Sequence, residues 1–202
     1  MKVRKIYKLG SFASNMYLVS DGNCGVIIDP SHDFSAIRPE IEAEKLSVPY
    51  CLLTHAHFDH FLCVESILEN TNATLCIGEK DGNALGDPNL NCFRRFLGTD
   101  RAYRGDYHEL HDGDKLTVGN LVVEVYEVAG HTRGSVAYRI DNALFVGDLI
   151  FEGGGYGRCD LPGGDFQLLL SSIERIRMLP PETVIYPGHG EPFFLSQYQP
   201  YF

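Results

Sequence analysis

The sequence has few basic residues and no long apolar run, and these two shortages exclude whole classes of protein. Lysine and arginine total 17 against 27 aspartates and glutamates, which gives a net charge of −10. Because nucleic-acid binding depends on clustered positive charge, a nucleic-acid partner is not expected. No stretch approaches the roughly 20 apolar residues needed to cross a bilayer, so a membrane partner is not expected either.

Cysteine is present but too scattered to indicate a disulfide framework. The six cysteines include no C-x-x-C pair. Disulfide-rich secreted domains are small, whereas a chain of 202 residues can bury an adequate apolar core without covalent cross-links. No apolar segment of a secretion signal follows the basic start of the chain. We therefore predict a single cytoplasmic domain over residues 1–202, with reduced and mostly buried thiols.

Short apolar runs, separated by glycine, proline and aspartate, predict a strand-rich chain with helices between the strands. Helices are expected over about 33–45, after His60, near 92–97, and from the capping residue Asp165 to the Pro180-Pro181 pair. The order indicates sheets covered by helices, a fold of the α/β (α+β) class. The predicted strands are 16–19, 24–28, 50–53, 74–77, 115–118, 121–128, 135–140, 143–146 and 183–186.

The motif T-H-A-H-F-D-H, residues 54–60, places four potential metal ligands within six residues. It directly follows a predicted strand and precedes a predicted helix. Imidazole nitrogens and a carboxylate suit zinc, iron or manganese better than calcium or magnesium. If the motif leaves its strand as an irregular loop, His55 and His57 can face one ion while Asp59 and His60 face another.

Three further ligand-type residues, His131, Asp148 and His189, each follow a predicted strand and adjoin a glycine. An isolated H-x-H pair is more often structural than metal-binding, but additional donors at several strand ends favour a metal centre. Strand ends converge in space, and glycine lets the backbone turn sharply there. The sequence therefore predicts one site built from several loops.

In this order, the seven residues match the ligand set of the metallo-β-lactamase-fold superfamily, which the sequence resembles over nearly its whole length. The resemblance implies a four-layered αββα sandwich with the metals at one edge of its two sheets. It also implies two divalent ions per chain, zinc first, with iron and manganese as alternatives. The first ion would be held by His55, His57 and His131, the second by Asp59, His60 and His189, and Asp148 would bridge them.

Within the superfamily, residues 145–151 and 157–165 resemble the signature of the glyoxalase II-like branch. The resemblance does not extend to that branch's C-terminal glutathione-binding helical domain, because the chain ends thirteen residues after His189. By this resemblance, true β-lactamases carry a cysteine where this sequence has Asp148, so Asp148 argues against β-lactam hydrolysis. Asp29 matches an early aspartate of the superfamily and is expected either to support the ligand loop or simply to end its strand.

These residues lead to the hypothesis of a dinuclear hydrolase for a small-molecule thioester or related ester. Two ions about 3.5–4 Å apart can share a water and lower its pKa toward neutrality, and the resulting hydroxide would attack the carbonyl. Asp59 is the predicted catalytic residue, since it could orient that hydroxide and accept its proton. The alternative is a mononuclear non-haem iron oxygenase of the persulfide dioxygenase type, and a non-catalytic metal-binding protein is a third reading.

The segment 83–107, rich in glycine, asparagine, arginine and aromatic residues, is expected to cover the site and select the substrate. Tyr103, Tyr107 and Tyr156 are candidate lining residues. The arginines between positions 94 and 104 are expected to form a solvated surface in preference to an anion-binding rim. The sequence leaves the oligomeric state open.

Overall fold

The computed structural model describes residues 1–7 and 12–200, which form two six-stranded sheets and five α-helices. The first sheet contains β1 Lys2–Ile6, β2 Met16–Asp21, β3 Cys24–Ile28, β4 Ser47–Leu53, β5 Thr74–Gly78 and β6 His108–Leu110. The second contains β7 Lys115–Val118, β8 Leu121–Glu127, β9 Val136–Ile140, β10 Ala143–Gly147, β11 Val184–Pro187 and β12 Phe193–Phe194. The helices are α1 Arg38–Glu44, α2 Val64–Thr71, α3 Gly82–Leu85, α4 Phe93–Leu97 and α5 Phe166–Arg177.

Both sheets are mixed, and their parallel pairs explain where the helices lie. The first sheet has the order β1-β2-β3-β4-β5-β6, with β3 to β6 parallel, and the second has the order β12-β11-β10-β9-β8-β7, with β10 and β11 parallel. Parallel neighbours need a crossover connection, and helices supply it. Thus α1 joins β3 to β4, α2 joins β4 to β5, and α5 joins β10 to β11.

The apolar core has three layers, which confirms the predicted αββα sandwich. Between the sheets, the fully buried side chains include Ile28, Tyr138 and Phe145. On the outer face of the first sheet, Ile67 of α2 and Phe93 of α4 pack against the strands. Outside the second sheet, α5 buries Leu169, Ile173 and Ile176, which are all 0% exposed. Each of these α5 side chains contributes roughly 1.5–3 kcal/mol by leaving water.

The predicted helix starts and stops are largely confirmed. The side chain of Asp165 accepts a hydrogen bond from the backbone of Leu168 at 3.0 Å and so caps α5. The predicted helix 33–45 is instead a 3-10 turn over Phe34–Ala36 followed by α1. Pro39 lies in the first turn of α1 and has no N–H to continue a helix from the preceding turn.

Three observed strands, β1, β6 and β12, were not predicted. Lys2, which is exposed, and the partly buried Val3, Arg4 and Lys5 leave β1 with one buried apolar residue, Ile6, so it carries little hydrophobic signal. The other two have three and two residues.

All six cysteines are free, three of them buried and three partly buried. In the described ranges, no helix combines the length and apolar character required to cross a bilayer.

Candidate metal centre

The ligand-type residues lie in loops at one edge of the two sheets. The motif 54–60 leaves β4, and its last residues form a 3-10 turn, Phe58–His60, that redirects Asp59 and His60. His131, Asp148 and His189 follow β8, β10 and β11, which run in one direction within the second sheet. Their carboxyl ends therefore meet at the same edge.

Two buried tyrosines fix the strand ends that lead into these loops. Tyr138 of β9 donates a hydrogen bond to the carbonyl of Leu53 at 2.6 Å, and Leu53 is the last residue of β4. Tyr17 of β2 donates to the carbonyl of Pro187 at 2.6 Å, at the end of β11. Each bond joins one sheet to the other directly beside a ligand loop, so the packing of the sheets sets the spacing of the loops.

The structure brings all seven predicted side chains together. Their donor atoms form three overlapping groups, and within each group the atoms lie within 4.8 Å of one another. The carboxylate of Asp148 lies between the groups, with Oδ1 at 3.3 Å from His60 Nε2 and Oδ2 at 3.8 Å from His131 Nε2. The groups are His55, His57 and His131; His55, His60 and Asp148; and Asp59, His60 and His189.

Buried donor atoms without partners show that the cluster fits a cation. Nε2 of His55, His57 and His60 and Oδ1 of Asp148 are buried and make no hydrogen bond in the described part of the chain. Burying such a group without a partner costs about 1–3 kcal/mol, and a divalent metal ion would supply the missing partner. Nδ1 of His57 also lies 2.8 Å from Nε2 of His131, so these two rings are in direct contact within the cluster.

Hydrogen bonds on the far side of the rings favour the tautomers that a metal requires. Nδ1 of His131 lies 2.7 Å from the carbonyl oxygen of Arg158, to which only an N–H can donate. Nδ1 of His60 lies 2.8 Å from Oδ2 of Asp29. Both contacts place a proton on Nδ1, so Nε2 is the nitrogen that faces the cluster, as in ligating histidines.

Asp29 supports the ligand loop, which decides between its two predicted roles. It is 1% exposed and adopts a positive φ of 53° directly after β3. Its Oδ1 accepts from the backbone N of Thr54 at 2.8 Å, and its Oδ2 accepts from the Thr54 hydroxyl at 2.8 Å. Together with the contact to His60, these bonds fix both ends of the motif.

The surroundings of the cluster keep His55 and His57 neutral and Asp148 ionised, as their pKa shifts show. Burial, together with the neighbouring His131, lowers the pKa of His57 to about 3. Burial likewise holds the pKa of His55 well below its usual value, so both rings are neutral at pH 7. Burial raises the pKa of Asp148, but the facing His60 and His189 outweigh it and keep that pKa well below its usual value. Neutral imidazoles and ionised carboxylates are the forms that bind metal.

Asp81 supports two loops of the cluster, a role that the sequence did not predict. It is 3% exposed and lies in a 3-10 turn after β5. Its Oδ2 accepts from the Ala56 backbone N at 3.0 Å and from the Thr132 hydroxyl at 2.7 Å, and its Oδ1 accepts from the Gly134 backbone N at 2.7 Å. Asp81 therefore ties the His55–His57 loop to the His131 loop. An acidic residue close to the end of a buried strand was the available signal.

A largely apolar cavity of about 290 Å³ opens onto the cluster. The segment 83–107 contributes Cys92 and Phe96 to its wall, as expected for a covering segment. The tyrosine predictions are wrong: Tyr103 and Tyr107 line a separate cavity beside α2, and Tyr156 packs near Phe166. These rings belong to other packing surfaces, a distinction that sequence position alone does not reveal.

The predicted solvated arginine surface is confirmed at two positions. Arg94 pairs with Asp100 at 2.7 Å, and Arg101 pairs with Glu65 at 2.8 Å. All four side chains of these two pairs are more than 40% exposed, so the pairs are screened by water and contribute little to stability.

Comparison with known proteins decides the family. The sequence model of the metallo-beta-lactamase superfamily matches residues 9–189. The chain belongs to the metallo-β-lactamase superfamily. One superfamily relative, the "Probable metallo-hydrolase YqgX" of Bacillus subtilis, is 34% identical over 94% of this chain and 90% of its own length.

Two solved structures are similar to the chain over nearly its whole length. The structure named BLEG-1 B3 metallo-beta-lactamase has a TM-score of 0.88 and 34% identity, covering 97% of this chain and 95% of that one. TTHA1623, solved in a di-iron-bound form, has a TM-score of 0.82 and 32% identity, covering 95% and 94%. None of these three relatives is named as a glyoxalase II, so that finer placement stays a prediction. Family and histidine-rich site together are those of a metal-dependent hydrolase.

Proposed function

We propose that this chain is a dinuclear metal-dependent hydrolase that cleaves a thioester or a related small ester. The observation that carries the proposal is the arrangement of donors in two trios, with the carboxylate of Asp148 between them. A mononuclear site needs only one trio. In this proposal His55, His57 and His131 would hold the first ion, Asp59, His60 and His189 would hold the second, and Asp148 would serve both. Zinc is the first candidate, with iron and manganese as alternatives.

When bound, such a pair of ions supplies a water of lowered pKa and polarises a carbonyl oxygen. The chain's own residues set up the remaining conditions. Asp59 is in hydrogen-bond contact with His189, its Oδ2 lying 3.1 Å from the ring Nε2, and it lines the apolar cavity. Its carboxylate is thus placed to orient the attacking water and accept a proton. Phe58, Phe96 and Leu161 line the same cavity and restrict water around the reacting carbonyl.

A second candidate bond is the amide of a β-lactam. The relative named as a B3 metallo-beta-lactamase is 34% identical and superposes with a TM-score of 0.88, although Asp148 argued against β-lactam hydrolysis at the level of sequence. The two candidates differ only in the bond attacked, since both use the same donors. The di-iron-bound form of TTHA1623 also supports iron as a metal that this kind of site can take.

The test begins with the metal content of protein purified without added metal. The same preparation is then assayed, with and without oxygen, on an S-acyl thioester, a β-lactam and a persulfide. We expect about two metals per chain and thioester cleavage that does not depend on oxygen. Asp148→Asn should lose both the second metal and turnover, whereas His111→Ala, at a 58% exposed histidine outside the cluster, should retain both.

Other outcomes would replace this proposal. One iron per chain with oxygen-dependent persulfide consumption would identify the dioxygenase alternative. Turnover of the β-lactam without thioester cleavage would favour the second candidate bond. If the protein binds two metals but turns over none of the three substrates, the non-catalytic reading is supported.

A further inference from the structure

A second cavity lies beside the metal centre and shares His57 with the first cavity. Its volume is about 360 Å³, which is within the range of small-molecule sites. The His55–His57 loop and the His131 loop contribute to its wall, and the rest comes from the turn after β5, from the segment that covers the site and from the loop before α5. The lining includes Ala56, His57, Leu90, Thr132, Arg133 and Pro162.

Two cationic side chains line this second cavity, and their charges are neutralised to different extents. Nζ of Lys80 lies 2.7 Å and 2.8 Å from the two carboxylate oxygens of Glu127. The guanidinium of Arg133 has no ion pair or hydrogen bond with any residue in the described ranges. Arg133 is exposed, and its position in the wall of a cavity beside the candidate active site points to an anionic partner that comes from outside.

The other polar groups of this cavity are compatible with an anion. Asp81 is the acidic residue of the wall, but it is 3% exposed and both of its oxygens accept hydrogen bonds from the protein. Asn83 is exposed, and its side-chain amide has no hydrogen-bond partner in the described part of the chain. Its N–H groups can therefore add a neutral donor next to the positive charge of Arg133.

The geometry links this arginine to the reaction site. Arg133 is two residues after His131, so their Cα atoms are at most about 7 Å apart. A small substrate whose carbonyl lies at the metal centre can thus extend past His57 to Arg133. The first cavity offers no comparable group, because Arg158 in its wall is already bound by Asp160 through two contacts of 2.7 Å.

We infer that the second cavity is an anion subsite in which Arg133 binds a carboxylate of the substrate, away from the scissile bond. A guanidinium can donate two parallel N–H bonds to one carboxylate, which a lone ammonium cannot do. The inference rests on the proposed hydrolase function and adds a substrate class to it, namely an acidic thioester.

The test compares substrates that differ by one carboxylate. Butyryl thioesters of N-acetylcysteine and N-acetylcysteamine place the charge on the thiol side or remove it. Glutaryl and butyryl thioesters of N-acetylcysteamine do the same on the acyl side. We expect the wild type to prefer one acidic substrate over its neutral counterpart by about tenfold in kcat/KM, mainly through KM, because the contact lies away from the reacting bond.

Variants assign that preference to Arg133. Arg133→Gln should abolish the preference and leave the neutral substrates unchanged, while Arg133→Lys should restore part of it by keeping the charge. Arg104→Gln is the matched control: it removes one exposed arginine that lines neither cavity, and it should keep the full preference. An equal preference in Arg133→Gln and the wild type, or no preference for either acidic substrate, would overturn the subsite.

A binding measurement separates this inference from the proposed function. The probes are S-butyl thioethers of N-acetylcysteine and N-acetylcysteamine, which cannot be hydrolysed, together with S-(4-carboxybutyl) N-acetylcysteamine for the acyl side. If the wild type hydrolyses no thioester but binds an acidic probe about tenfold more tightly in an Arg133-dependent manner, the proposed reaction fails and the anion subsite stands. If it hydrolyses acidic and neutral thioesters equally, the reaction stands and the subsite fails.

Discussion

Asp81 couples the two loops that carry the first group of ligands, and Asp81→Asn tests that coupling with almost no change in shape. The carboxylate accepts from Ala56 on one loop and from Thr132 and Gly134 on the other. An asparagine has one accepting oxygen, so in either orientation its NH₂ group faces a backbone N–H. One buried N–H then has no partner, which costs about 1–3 kcal/mol of stability.

A loosened loop should also bind metal less tightly. Removing an outer partner of a metal ligand typically lowers metal affinity 10–100-fold. At saturating metal, a tenfold loss reduces the metal-induced stabilisation by about 1.4 kcal/mol. The assay is zinc competition against a chromophoric chelator, together with unfolding curves of the metal-free and metal-loaded protein.

The comparison of the two curves decides whether Asp81 positions ligands or only stabilises the fold. Asp100→Asn is the control, because Asp100 is 71% exposed and pairs with Arg94, which is not part of the ligand loops. A drop in metal-free stability with unchanged zinc affinity would show that Asp81 has a purely structural role. Wild-type behaviour in both measurements would refute the reasoning altogether.

Three further predictions follow from the site. Asp29→Asn removes the carboxylate partner of His60 and should weaken metal binding 10–100-fold in the same zinc competition, with wild-type affinity contradicting the role given to that contact. Gly188→Ala should reduce metal content measured on purified protein, because a Cβ at that position would overlap Asp148 Oδ1; undiminished metal content would show that the loop relaxes at no cost. For the pH dependence, unfolded His57 takes up a proton near pH 6.5, whereas folded His57 does so only near pH 3. The buried His57 therefore lowers the stability of the metal-free protein progressively as the pH falls through that window. In denaturant titrations from pH 6.5 to pH 4, the stability of His57→Gln should rise relative to that of the wild type. A stability difference that stays constant over this range would refute the reasoning.

The interior strands and the seven clustered donor residues could be predicted from the sequence because each has a local signal. Apolar runs bounded by turn residues located strands such as β3 and β7 at their observed ends. Histidines and aspartates directly after such runs indicated loops at strand ends, where donors from distant segments can meet. The superfamily resemblance then supplied the order of layers, and the observed αββα sandwich confirms it.

Only the tertiary structure decided which side chains support and surround those donors. The contacts of Asp81 to Ala56 and Thr132 join residues 25 and 51 positions apart. The local sequence shows an acidic residue near a strand end, but not which two loops it will join. The same holds for Arg133, because only the folded structure shows that no carboxylate of the described residues pairs with its guanidinium. Local pattern determines which residues can bind a metal, since donor chemistry belongs to each side chain. Partners and cavity walls depend on how the two sheets pack, which is a property of the whole chain.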